Sequence, residues 1–156
     1  MEVFIRQAKF SDLEEILRLN KALFDYEEIF NSEYDLNWTY SDVGRKYFKE
    51  RLENKSSVIL IAELDKKIVG YMLAFINNYP FRSKNPIAEI ENMYIDERFR
   101  GIGTGTKLMN ELKRILKEKK VKRIKVEAVA QNYKAIEFYK KNGFGDFDVT
   151  LELKLD

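Results

Sequence analysis

An α/β fold of the α+β type, with a mixed sheet flanked by helices, follows from three features of the sequence. The runs SVILIAEL and KIVGYMLAFI are apolar, rich in β-branched residues and separated only by Asp65 and Lys66, which reads as an antiparallel hairpin. Leu108, Met109, Leu112, Ile115 and Leu116 recur at helical spacing directly after a cluster of glycines. Strand-like and helix-like stretches alternate along the chain in the order β-α-α-β-β-β-α-β-α-β.

Each element has a local reason. VFIRQA, from Val3 to Ala8, is the first strand, and Ser11 with Glu14 stands at capping-box spacing before a helix through Ile16, Leu17, Leu19 and Leu23. A second helix is expected from Ser41 to about Glu53, with Val43, Tyr47, Phe48 and Leu52 on one face. The hairpin follows, then a loop holding both prolines, Pro80 and Pro86, and then IAEIENMYI as the fourth strand. The helix after the glycines ends in Lys/Arg-rich turns, which suit the negative end of its dipole. KRIKVEAVA is a fifth strand, and NYKAIEFYKKNG is a short helix stopped by Asn142-Gly143. FDVTLELKL, apolar at every second position, is a closing strand. No repeat or linker interrupts this order, so residues 1–156 read as one domain.

Composition narrows the chemistry. With 156 residues, 45% hydrophobic and 13% aromatic, the chain can bury one substantial core. No run approaches the roughly 20 apolar residues of a membrane span, and MEVFIRQAKF lacks the layout of a signal peptide, so a cytoplasmic protein without membrane contacts is expected. The absence of Cys and His removes disulfides, thiolate nucleophiles, Ser-His-Asp triads and the usual zinc sites; no metal is expected. Proton transfer falls to Asp, Glu, Lys or Tyr. From Arg98 to Lys141 there are 14 Lys/Arg against 4 Asp/Glu, so this segment carries +10 and the remainder −8. The basic part suits a polyanion, either nucleic acid or a phosphorylated cofactor, and the acidic part suits a cation; a solvated Lys-rich helix face is the plainer explanation of the same charges.

Three glycines, Gly101, Gly103 and Gly105, stand between the fourth strand and the long helix. Bare backbone there lets the chain turn sharply and lets N–H groups face an anion at the positive end of the helix. The dinucleotide pattern GxGxxG fails at Thr106, and the Walker pattern fails at Thr106-Lys107-Leu108. What does match is Arg-Gly-x-Gly-x-Gly, Arg100 to Gly105, which resembles the signature of the GNAT superfamily of acyl-coenzyme A-dependent N-acyltransferases. ENMYIDERFR before it looks like that family's fourth strand and the loop leading into the signature. AVAQNYKAIEFYKKNGF looks like its fifth strand, the Asn that begins the next helix, and the Tyr near that helix's end. The resemblance is close from Ile87 to Phe144 and extends as element order to both ends.

The resemblance implies a mostly antiparallel sheet whose fourth and fifth strands splay apart to hold coenzyme A. The pyrophosphate would lie on the backbone of Arg100, Gly101, Ile102, Gly103, Thr104, Gly105 and Thr106, and the pantetheine arm along Met93, Tyr94 and Ile95. Asn132 matches a position that reaches the pantetheine; Arg98, Lys107 and Lys134 stand where they can meet phosphates or remain solvated. Acetyl transfer to an amine wants a base to deprotonate an ammonium of pKa about 10 and an acid for the leaving thiolate. Glu89 and Glu91 lie two apart on the fourth strand, on one face unless a bulge separates them. Glu91 is preferred as base, because the resemblance to the family's diamine acetyltransferases places a Glu before Asn92-Met93-Tyr94-Ile95; a pair of carboxylates balancing Lys on the next strand is the alternative. Tyr139 holds the family's Tyr position as acid or as positioner of the sulfur, or simply packs in the core.

FDYEEIFNSEYDLNWTY, Phe24 to Tyr40, has five acids, six aromatics and no Lys or Arg. Tyr26, Glu27, Glu28, Asp35 and Trp38 are candidates for an acidic, aromatic pocket for a cationic amine; a solvated loop packing its rings on the sheet is the alternative. The expected reaction is N-acetylation of a small-molecule or peptide amine by acetyl-CoA, through direct attack in a ternary complex. A noncatalytic acyl-CoA-binding regulatory module is the second reading, and nucleic-acid binding ranks last, because the basic residues are not interleaved with aromatics. The family resemblance also admits a homodimer, although no residue marks an interface.

Overall fold

The computed structural model describes residues 2–156. One sheet runs through it in the order β1 (Phe4–Gln7), β2 (Ser57–Leu64), β3 (Lys67–Asn77), β4 (Ile87–Ile95), β5 (Arg123–Val126). The first four are antiparallel neighbours, and β4 and β5 are parallel. The β2–β3 turn is made by Asp65 and Lys66, both at positive φ (49° and 65°), the geometry that matches the strands' own twist.

Alternation along the strands sends side chains to two cores. On one face Ile59, Ile61, Tyr71 and Leu73 meet Ile16, Leu17 and Leu19 of α1 (Leu13–Glu27) and Phe48 of α2 (Asp42–Glu53). On the other, Leu60, Ala62, Met72, Ala74, Ala88 and Ile90 meet Leu108, Met109, Leu112, Ile115 and Leu116 of α3 (Thr104–Glu118). The predicted helical stripe of α3 is its buried face. α4 (Tyr133–Lys141) ends as expected, with Asn142 as C-cap and Gly143 at φ +95°, and the Phe144 N–H returns to the Tyr139 carbonyl at 3.1 Å. Among the described residues no helix is long and apolar enough to cross a membrane.

Four local expectations are corrected. Asp12, not the Ser11–Glu14 pair, organises the start of α1: its carboxylate accepts from the Arg6 guanidinium at 2.8 and 3.0 Å and from the Lys9 N–H at 2.7 Å. The Arg6 bonds hold this carboxyl below its usual range, and Glu14 instead pairs with Arg45 at the surface. Val43 is 66% exposed, because the inward arc of α2 runs through Gly44, Tyr47, Phe48, Arg51 and Leu52. The fifth strand stops at Val126, well short of Ala130. The closing strand does not form: residues 144–156 carry no regular secondary structure and lie outside the sheet.

The link between helices and sheet is polar and buried. Asn20 of α1 donates to the Tyr71 hydroxyl of β3 at 3.0 Å and accepts from the Thr39 hydroxyl at 2.7 Å. All three residues are at most 1% exposed, and burial raises the Tyr71 pKa. Thr39 belongs to the 3-10 turn Trp38–Tyr40, so this network fastens the segment before α2 to both layers. Asn20→Leu strips two buried hydroxyls of their partner, at about 1–3 kcal/mol each. Urea denaturation is expected to register a loss of about 2–4 kcal/mol for this variant, and a smaller loss for Tyr71→Phe.

Candidate active site

The parallel pair β4–β5 is hydrogen-bonded only from Ile87 beside Arg123 to Ile90 beside Val126. Beyond it, Glu91–Ile95 of β4 keep β3 on one side and have no strand on the other. The parting coincides with a bulge. Leu73 lies opposite Asn92 while Ala74 lies opposite Ile90, so Glu91 is the extra residue. A bulge bends its strand and sharpens the local twist, which turns β4 away from β5. The free side of Met93, Tyr94 and Ile95 is therefore a strand edge that an extended chain can join.

The glycine loop lies at the end of this wedge. Gly101 and Gly103 have φ of +76° and +87°, and nothing lies within 4 Å of where a Cβ would stand, so conformation and not crowding demands glycine there. Gly103 is the N-cap of α3 and makes no side-chain cap. The first intrahelical bond runs from the Lys107 N–H to the Gly103 carbonyl, which leaves the amides of Thr104, Gly105 and Thr106 without an intrahelical acceptor. Open space, free N–H groups and the positive helix end make a cradle that fits a phosphate group. Gly105 serves differently: a Cβ would meet the Phe138 ring at 2.7 Å, so its bareness lets α4 approach α3. Arg100 turns its side chain away from the loop, donating to the Ile95 carbonyl at 2.8 Å and stacking on Tyr26 and Tyr94 at 5.1 and 5.0 Å. Lys107 donates to the Val3 carbonyl at 3.2 Å, while Ile102 and Lys134 are exposed.

On the α1–α2 face, Glu91 is fully engaged. Arg51 forks onto it at 2.7 and 2.9 Å, and the Tyr47 hydroxyl donates to it as well. Burial, then the bond to Glu91, raises the Tyr47 pKa. Arg51 stacks on Phe75 at 4.0 Å and on Tyr47 at 5.1 Å. The bulge leaves Glu89 and Glu91 on the same face: Glu89 lies opposite Phe75, whose ring Arg51 covers, and its carboxylate is 3.4 Å from the Tyr79 hydroxyl. On β5 its partner is Lys125.

Tyr139 reaches the wedge from the other face. It is half-buried, edge-on to Phe138 and Phe144 at 5.2 and 5.4 Å, and its pKa is pushed up to about 12, first by burial and then by the charge of Glu27. Glu27, at the C-terminal end of α1, is itself pushed up by burial, against a hydrogen bond from Tyr34 that pulls it down. Glu27 of α1 and Tyr139 of α4 belong to opposite layers, and the negative charge of Glu27 adds to burial in disfavouring the tyrosinate. Asn132 is buried, only 6% exposed, and caps α4, its Oδ1 accepting from the Ala135 N–H at 3.2 Å.

Of the acceptor-side candidates, Tyr26, Glu27 and Trp38 converge on this region. Trp38 packs against Phe24, Tyr47 and Phe48 at 5.5–6.2 Å. Glu28 is exposed, and Asp35 is exposed with its carboxylate on the Asn37 N–H at 2.9 Å. Tyr47 and Arg51 were not foreseen as site residues. Their i,i+4 spacing puts them on one helix face, but nothing local tells a partner for Glu91 from a surface arginine.

Residues 23–144 match the family model described as the acetyltransferase (GNAT) family. The chain is 29% identical over 93% of its length to an uncharacterized N-acetyltransferase of Methanocaldococcus jannaschii, and spans 62% of that protein. It is 30% identical over 90% of its length to an N-alpha-acetyltransferase of Sulfolobus acidocaldarius, spanning 78% of it. A predicted acetyltransferase from Clostridium acetobutylicum, solved with acetyl-CoA, superposes with a TM-score of 0.80 at 26% identity, covering 98% of this chain and 96% of that one. The bulged fourth strand, the parted parallel pair and the signature loop thus have a common origin: the chain belongs to the GNAT family of acetyltransferases.

Proposed function

We propose that the protein is an acetyl-CoA-dependent N-acetyltransferase that acetylates a primary amine on a small cationic or peptide acceptor, by direct attack in a ternary complex in the cytoplasm. The observation that carries this reading is the wedge between β4 and β5 with the unpaired amides of α3 at its end. An extended arm fits the free edge at Met93–Ile95, a pyrophosphate fits the backbone of Arg100–Thr106, and Asn132, at the start of α4, is the side chain assigned to the arm. Arg98 and Lys134 stand at the periphery for nucleotide phosphates. The bound cosubstrate supplies the thioester carbonyl and the leaving thiolate.

The amine enters from the α1–α2 face. Glu27 pairs with its charge, the rings of Tyr26, Tyr34 and Trp38 surround it, and the exposed Glu28 and Asp35 attract cations to the rim. Glu27 is also the better-placed proton acceptor. Burial brings its pKa up toward working pH, which favours a base. Both oxygens of Glu91 already accept bonds from Arg51 and Tyr47, and Glu89 acts only by water relay. Glu91 then serves to fix Arg51 and Tyr47 in the acceptor wall. Tyr139, with a pKa of about 12, stays protonated across the physiological range. Full transfer to a thiolate of pKa about 8.5 is unfavourable by roughly three orders of magnitude. A hydrogen bond to the departing sulfur is therefore its role. Protonation of Glu27 removes one of the charges that hold the Tyr139 proton, which couples the two ends of the reaction.

Calorimetric titration with acetyl-CoA, desulfo-coenzyme A and ADP tests the cosubstrate, and thiol release across an amine panel separates catalysis from mere binding. Valine at Gly103 puts a β-branched residue at φ +87° and closes the approach to the amides. Gly103→Val should lose acetyl-CoA binding; normal binding would move the pyrophosphate elsewhere.

Glu27→Gln should lower kcat/KM by about 10²–10⁴-fold and flatten the acid limb of the pH profile. In the wild type that limb lies above the ordinary Glu value of 4.5, because a raised pKa keeps the base protonated to higher pH. Glu91→Gln should keep the limb and act mainly on KM; the reverse pattern would make Glu91 the base. Tyr139→Phe should lower kcat and leave acetyl-CoA affinity intact. Weak acetyl-CoA binding at normal kcat would reduce Tyr139 to a ground-state contact of the cosubstrate, with no bond gained as the thiolate departs.

A further inference from the structure

Arg100 opens the signature loop, yet its side chain acts outside it. The Asp96 N–H donates to the Val69 carbonyl at 2.9 Å, so Asp96 turns its polar groups to β3 and Ile95, one residue earlier and opposite Gly70, turns its own to the open side. The Ile95 carbonyl therefore faces the wedge, and the Arg100 Nε donates to it at 2.8 Å. That bond leaves the flat guanidinium against two rings at once, Tyr94 of β4 at 5.0 Å and Tyr26 of α1 at 5.1 Å. Glu97 lies 3.9 Å from the group and is 73% exposed, a geometry worth little as an ion pair, so the carbonyl and the rings are what hold the side chain.

Tyr26 stands one residue before Glu27 and meets Phe30 edge-on at 5.8 Å. The Arg100 side chain thus runs from the loop that fits a pyrophosphate to the helix end that fits an amine. The loop is free to rearrange where Arg100 leaves it. Gly101 and Gly103 have open space around them, and the amides of Thr104, Gly105 and Thr106 lack intrahelical acceptors. An anion on those amides takes that freedom away next to Arg100, and the guanidinium carries the order across to Tyr26. A site ordered by its first ligand costs the second ligand less to complete.

Resting on the cosubstrate and acceptor sites proposed above, we infer that Arg100 is a positioning residue that couples them: coenzyme A on the signature amides fixes the guanidinium, and the guanidinium fixes the Tyr26 ring in the acceptor wall. Such coupling is reciprocal, so an amine that orders Tyr26 tightens coenzyme A by the same factor. The planar fork is essential to it. A lysine keeps the charge but has no rigid donor and flat face with which to bond Ile95 and lie against two rings together.

Hydrogen exchange with and without desulfo-coenzyme A reads the coupling in the absence of any acceptor. In the unmodified protein the ligand should slow the amides of Glu28, Phe30 and Asn31, which are hydrogen-bonded at the end of α1, by at least about fivefold, the low end of ordinary coupling. Arg100→Lys should still bind desulfo-coenzyme A in calorimetric titration, because backbone amides hold the pyrophosphate, and should lose the ligand-dependent slowing. Tyr26→Leu should lose it as well, and both substitutions together should lose no more than either alone. Tyr26→Phe, which keeps the ring, should retain it. Slowing that survives in Arg100→Lys overturns the proposal, as does a change in exchange that is equal with and without ligand, the mark of a merely structural role. Binding to the unmodified protein that leaves the three amides unchanged overturns the coupling and leaves the cosubstrate site standing, whereas absence of binding removes both.

Discussion

Backbone hydrogen bonding along β4 is the constraint on which the active region depends. A strand inside a sheet has its N–H and C=O groups paired on both sides, and those buried without partners are costly. From Ile87 to Ile90 both sides of β4 are served by strands; from Glu91 onward only β3 pairs with it, and among the described residues the one further partner is the Arg100 side chain on the Ile95 carbonyl. The extra residue at Glu91 makes the change abrupt, because it bends β4 at the register where β5 is lost. What remains is an apolar cleft wall with a row of polar groups along one edge. Such an edge is completed by water or by an extended ligand.

The same parting brings together chemistry that the two layers would otherwise keep apart. The end of α1 and the segment that leads to α2, Phe24 to Tyr40, carry acids and aromatics on one face; α3 and α4 carry basic residues and Tyr139 on the other. The small net charge of +2 conceals this division, and the cleft is where its halves meet. An anion held at the start of α3 and a cation held near Glu27 approach from opposite sides without crossing a field of their own sign.

Much of this was legible in the sequence because it rests on local rules. The extent of β4, the stripe of α3, the stop at Asn142-Gly143 and the demand for bare backbone at Gly101 and Gly103 follow from periodicity and φ preference. Three features rest on long-range partners and were not legible. Asn20, mid-helix, gives no sign that it joins Tyr71 to Thr39, 51 and 19 residues away. Arg51 and Glu91 are 40 residues apart, and only the packing of α2 over the bulge makes them a pair. The alternation of FDVTLELKL is a strand pattern, but alternation names no partner, and residues 144–156 pair with no strand of the sheet. Gly105 was read with its neighbours as an anion ligand, and its amide is among the free ones of the cradle, but the contact that excludes a side chain there, the Phe138 ring on another helix, was not legible.

The proposed acceptor wall shares its residues with the buried polar network. Trp38 sits one residue before Thr39, whose hydroxyl belongs to the buried network, and two positions after it Ser41 caps α2 by accepting from the Gly44 N–H. The ring of Trp38 is therefore carried by a segment fixed at both ends, and an aromatic held this way offers its face to a cation without losing rotamer freedom on binding. Residues 26–37 lack such anchors at most positions and include the exposed Glu28 and Asp35. Divergence of acceptor preference at constant stability has room there, at the rim, while the Trp38–Ser41 segment has little freedom to change without loosening α1 from β3.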